Sequence, residues 1–149
     1  MRLKLTIARA LALLLVSTIL LGSGSYLQAQ DADALVRVRD RQLRTKEERE
    51  RVLAETLNAA REAGNASDWT RAAGFLNRAG RLQWGLHQPE TALVTFQEVR
   101  TTLQQSPESR EYIDSLNGSA AVYNDLSKCV EAGPLTTQAL QLSERSNYI

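Results

Sequence analysis

One histidine, one cysteine and a scatter of carboxylates are the side chains of this 149-residue chain that could do chemistry. His87 falls between two helical patterns and reads as a solvated loop residue. With a single histidine and a single cysteine, Cys129, no zinc site of ordinary ligands can be assembled within one chain. The carboxylates are spread along charged stretches, and no nucleophile–base pair and no Glu-x-x-His spacing occurs among them. The expectation is therefore a protein that is not an enzyme, with no catalytic residue, no metal and no cofactor. Cys129 cannot make an intramolecular disulfide, so packing must hold the fold. It is expected as a small buried residue near a helix start, the alternative being an intermolecular bridge. Asn65-Ala66-Ser67 and Asn117-Gly118-Ser119 match the glycosylation sequon. Asn117, however, falls on a helix face expected to be packed or to line a groove, where a glycan does not fit. A bacterial envelope origin is the simpler account.

The N-terminus sets the compartment. Arg2, Lys4 and Arg9 precede the low-polarity run from Ala10 to Leu21, Gly22 to Ser25 break it, and Leu27-Gln28-Ala29 supplies the small or apolar residues a signal peptidase reads. Residues 1–29 are expected to be a signal peptide; the alternative is an uncleaved membrane anchor, because no charge appears from Ala10 to Gln30. Either way the remainder is exported, to the periplasm or the outside, or held there by the anchor. Three of the 18 basic residues lie in the leader and all 17 acids beyond it, leaving 15 bases against 17 acids, a net −2. That balance gives no reason to propose nucleic acid as a partner. Residues 30–44 form a charged linker. Asp40 with Arg44, and Lys46 with Glu50, are spaced four apart, as on a solvated helical face, with contact to anionic lipid as the alternative.

From residue 45 onward the pattern is helical throughout, and no segment alternates like a strand. Thr45 with Glu48 makes a capping box, Leu53, Leu57 and Ala60 follow at helical spacing, and Gly64 supplies a stop. A turn through Asn65 to Asp68 leads to a second helix with Trp69, Ala72, Ala73, Leu76, Ala79, Gly80 and Leu86 on one face. Pro89 opens a third helix striped by Ala92, Leu93, Phe96, Val99 and Leu103. Ser106-Pro107-Glu108 signals a fourth, which places Tyr112, Ile113, Leu116, Ala120 and Tyr123 inward. A fifth from about Cys129 does the same with Ala132, Leu135, Ala139 and Leu142. Short connections predict antiparallel hairpins.

A shift of 40 residues lays the second and third helices on the fourth and fifth: Leu76-Asn77 meets Leu116-Asn117, Gly80 meets Ala120, Ala92 meets Ala132, and Val99 meets Ala139. Helices cross closely only where side chains are short, which is a physical reason for small residues at these places. Leu116-Asn117, Ala120, Tyr123, Glu131-Ala132, Pro134-Leu135 and Ala139-Leu140 together resemble tetratricopeptide repeats (TPR) of the longer-period kind seen in kinesin light chains. Pro134 matches the proline such repeats often carry in the first turn of the second helix. The upstream copy is looser, with Gln83 in the tyrosine position and Thr91-Ala92 in place of glutamate-alanine.

The resemblance implies an all-α fold for residues 45–149, a short TPR-like solenoid of stacked antiparallel hairpins with about five helices after the signal segment. It also implies function: the first helix of each repeat lines a groove that holds an extended peptide or a helix of a protein partner. Carried onto this sequence, the groove residues are Asn77, Arg81 and Trp84 from one repeat and Asn117 and Asn124 from the next. Asn77 and Asn117 could instead tie neighbouring helices together, and Trp84 could be core packing in place of a binding anchor. Two repeats are fewer than a solenoid usually needs, and no polar capping helix follows Leu142. The C-terminal face, marked at Leu142, is therefore expected to pair with another copy or a partner, or the chain is a truncated relative of a longer sensor protein.

Overall fold

The computed structural model describes residues 45–146; the leader and the charged linker lie outside the described residues. Five α-helices and no strands make up this part: α1 (Lys46–Asn65), α2 (Trp69–Gly85), α3 (Pro89–Thr102), α4 (Arg110–Asp125) and α5 (Cys129–Arg145). No described helix is long and apolar enough to cross a membrane. Each helix packs on the next in sequence, and α2 also packs on α4.

α1 begins where the capping box places it. Thr45 Oγ1 accepts from the Glu48 amide at 3.1 Å, and Glu48 Oε2 accepts from the Thr45 amide at 3.3 Å, satisfying two donors that a helix start leaves unpaired. The exposed Lys46–Glu50 pair forms at 3.6 Å. The buried face of α1 is one residue away from the expected one: Val52, Thr56, Ala60 and Ala63 face inward while Leu53 and Leu57 are half-buried. Thr56 can take an interior position because its hydroxyl donates to the Val52 carbonyl at 2.7 Å. Trp69 is also displaced from the core face. As the first residue of α2 it is 52% exposed, with its ring lying over Gly64.

Three of the four connections are the same turn. Ser67, His87 and Ser127 adopt a left-handed backbone, with φ of 59°, 59° and 58°. In each, the amide of that residue bonds the carbonyl three back and the following amide bonds the carbonyl five back: Ser67 to Gly64 and Asp68 to Ala63, His87 to Trp84 and Gln88 to Gln83, Ser127 to Asn124 and Lys128 to Tyr123. These are Schellman endings made without glycine, and the residue that closes each one is the N-cap of the next helix. A three-residue link of this kind folds the chain back on itself and makes α1–α2, α2–α3 and α4–α5 hairpins.

The α3–α4 link is longer, and α4 starts later than the Ser106-Pro107-Glu108 signal suggested. Ser109 is the N-cap, while Ser106 joins the preceding turn by donating its amide to the Leu103 carbonyl at 2.8 Å. Pro134 is the sixth residue of α5, in its second turn and not its first, so the Val130 carbonyl has no intrahelical donor.

The core has three parts. Ala60, Ala73, Leu76, Val99 and Leu103 join α1, α2 and α3; Ile113, Leu116, Ala139 and Leu142 join α4 and α5; and Tyr112 packs against both groups. Between the hairpins, Ala92, Phe96 and Val122 form the third part, flanked by Trp84, Leu93 and Leu126. The matched small positions Gly80 and Ala120, Ala92 and Ala132 are all buried.

Two expectations about the C-terminal helix are corrected. Cys129 is exposed, as are Val130 and Glu131 beside it, and Ala132 is the residue that the first turn of α5 buries. Leu142 is 7% exposed and faces α4, so the uncovered face of α5 is marked by Val130 and Leu140 instead.

Candidate functional site

A cleft that gathers residues singled out in the sequence lies where the α2–α3 and α4–α5 turns meet. It is open, holds about 580 Å³, and is lined by Arg81, Trp84, Gly85, His87, Pro89, Asp125 and Leu126. That volume accommodates one or two side chains of a partner, within the usual range for a binding cleft.

Trp84 builds its wall. Near the end of α2, its ring packs against the group of Ala92, Phe96 and Val122, while the indole Nε1 donates to Asp125 Oδ2 at 2.8 Å across the two hairpins. The ring is therefore fixed at both its apolar body and its polar tip, as an aromatic anchor needs to be. Trp84 is half-buried packing and also lines the cleft. Arg81, one turn earlier, stands exposed at the rim, and Pro89 and Leu126 complete an apolar floor. His87 faces this cleft because its left-handed backbone places it at the tip of the α2–α3 turn. On the far side of α2, Arg49 Nη1 donates to the Gly85 carbonyl at 3.0 Å and fixes the start of α1 against the same helix end.

Of the five residues expected in a groove, Arg81 and Trp84 come together here and three do not. Asn77 is only 2% exposed, and its Nδ2 donates to the Glu111 carbonyl of α4 at 2.8 Å. It is a tie between hairpins, which removes it from any peptide-contacting surface; its Oδ1 is buried with no hydrogen-bond partner. Asn117, its counterpart 40 residues on, is exposed, since no helix beyond α5 stands beside it among the described residues. Asn124 is exposed beside Asp125 and does not line the cleft. The residue that sequence reasoning missed is Asp125. Its pairing with Trp84 spans 41 positions and no local pattern announces it.

A second polar cluster supports the frame. Arg100 of α3 reaches α4, donating through Nη1 to the Ser115 carbonyl at 3.2 Å and to Ser119 Oγ at 3.0 Å, while Nε and Nη2 hold Gln97 Oε1. Burial lowers its pKa from the ordinary arginine value, with Tyr112 and Tyr123 nearby opposing the shift. Gln83, in the position expected for tyrosine, is buried and accepts from the Thr95 hydroxyl at 2.7 Å, so a polar side chain is satisfied there.

Among the described residues no group of three or more His, Cys, Asp or Glu side chains could hold a metal ion. Compared with family models, with curated proteins and with solved structures, the chain matches none.

Proposed function

We propose that this protein is an exported, non-catalytic binding module that captures an extended peptide segment of a protein partner in the cleft between its α2–α3 and α4–α5 hairpins. The observation that carries this reading is the fixed Trp84 ring. A large aromatic surface, held by Asp125 and flanked by Pro89, Leu126 and Arg81, is the kind of anchor that dominates protein recognition. Such a cleft suits an apolar side chain against the indole, with polar backbone groups of the partner left for the rim.

Support for the TPR-type solenoid reading comes from the match of buried small positions and of the His87 and Ser127 turns, each 40 residues apart. The leader supports export to the periplasm or beyond, with retention as a membrane anchor as the second arrangement. Selection from a random peptide display library tests the binding reading. Peptides enriched on the wild-type protein should lose at least tenfold in affinity for Trp84→Ala and Arg81→Glu and retain it for Asn117→Ala. No enrichment, or enrichment indifferent to Trp84, contradicts it.

A further inference from the structure

Arg100 is a half-buried cation whose bonds all run to neutral groups. Nε and Nη2 donate to Gln97 Oε1 at 3.2 and 2.6 Å, and Nη1 donates to the Ser115 carbonyl and to Ser119 Oγ. A guanidinium has five N–H groups, so at least one is left over. Among the described residues no carboxylate pairs with it. The ionisable neighbours that act on it are Tyr112 and Tyr123, and a phenol is a neutral group at pH 7. A tie between α3 and α4 needs no charge, since a neutral amide can donate to the same acceptors, and a desolvated charge without a partner costs stability. A cation kept in such a place points to a ligand that neutralises it.

The position of Arg100 in the fold says what that ligand is. Pro89, Leu93 and Arg100 share one flank of α3 at helical spacing, and Leu126, Tyr123 and Tyr112 share one flank of α4. The two flanks run antiparallel: Pro89 and Leu126 line the Trp84 cleft together, while Arg100 reaches Ser115 and Ser119 further back along α4. All six flank residues are half-buried, so a seam leads from the cleft to Arg100. Pro89 and Arg100 are separated by about 16 Å of helix, which an extended chain covers in about five residues. We infer, building on peptide capture at Trp84, that Arg100 holds a carboxylate of the same peptide, an aspartate or glutamate about five residues from the apolar side chain seated on the indole. The left-over N–H supplies a charge-assisted hydrogen bond, about twice as strong as one between neutral groups. Between the two anchors, Leu93 and Tyr123 offer the peptide an apolar path.

Random peptides selected by display on the full chain test this. Enriched peptides are expected to carry an acid about five residues from an apolar anchor. Changing that acid to its amide should weaken binding to the wild-type protein about tenfold or more, and Arg100→Gln should cost as much. The two losses should not add, because they remove one contact. Arg100→Lys keeps the charge and should bind better than Arg100→Gln. Should Arg100→Gln unfold by circular dichroism, the amide change in the peptide still reads the contact on intact protein. Peptides that need Trp84 but carry no acid overturn the carboxylate site and leave the cleft standing. An acid whose loss is felt equally by wild type and Arg100→Gln is held elsewhere, at Arg81, and also overturns it. Peptides that need Arg100 but not Trp84 uphold the carboxylate site and remove the cleft. If no peptide is enriched, sodium acetate decides, read on the Arg100 Nε–H resonance: a saturable shift that sodium chloride does not reproduce upholds the site, and no shift overturns it.

Discussion

Gly118 of α4 touches the ring of Phe96 of α3 so closely that a β-carbon on it would lie 2.6 Å from Cε1 and Cζ. The same ring closes on Gly80 of α2, where a β-carbon would meet Cε1 at 2.8 Å. Phe96, fully buried, is thus seated among three helices by two glycines that no turn requires. Gly118→Ala is expected to destabilise the protein by about 1–3 kcal/mol, because overpacking at a rigid ring outweighs the roughly 1 kcal/mol of helix propensity that alanine gains. Adding Phe96→Leu should recover part of the loss. Thermal or urea unfolding of the two single variants and the double variant measures this coupling, and additive effects would refute it.

The three Schellman turns hold Ser67, His87 and Ser127 at positive φ, where a β-carbon costs about 1–2 kcal/mol that glycine avoids. Glycine at each place also loses more freedom on folding, by roughly 0.5–1 kcal/mol. A net gain of about 0.5–1 kcal/mol is therefore expected for Ser67→Gly and Ser127→Gly, read as a raised unfolding midpoint. Alanine at the same places should give no gain.

The paired asparagines should behave differently. Asn77→Ala removes a buried donor from the Glu111 carbonyl and should cost about 1–3 kcal/mol, and Asn77→Asp more, since it sets an acceptor against an acceptor in the interior. Exposed Asn117→Ala should change stability by less than about 0.5 kcal/mol. Equal effects at the two positions would contradict the structure.

The helices were legible where local chemistry announces them. Thr45 with Glu48, Asp68 before Arg71, and Pro89 in a first turn are start signals that act over three or four residues, and each marks a helix observed. Hidden features depend on neighbours far along the chain. Leu53 and Leu57 outrank Val52 and Thr56 in hydrophobicity, yet close packing of α1 on α2 selects the smaller set. The turns at His87 and Ser127 lack the glycine that usually advertises a left-handed residue. In the cleft, Arg81 and Trp84 could be named from the sequence as candidates, but Asp125 emerges only when two hairpins come together. Cys129 was misread because three-residue spacing from the buried Ala132 leaves a helix's first residue off the centre of the buried face.

The measurement that tests the central claim most directly is a nuclear magnetic resonance titration of ¹⁵N-labelled protein with a display-selected peptide, following the two tryptophan indoles. Trp84 Nε1–H, bonded to Asp125, reports on the cleft, and exposed Trp69, on the other side of the turn before α2, serves as the internal control. The expected result is a saturable shift of the Trp84 indole signal together with the amides of Gly85, His87 and Leu126, while Trp69 stays unmoved. A peptide that binds and shifts Trp69 or the α5 amides while leaving Trp84 untouched would contradict the assignment of the cleft as the binding site.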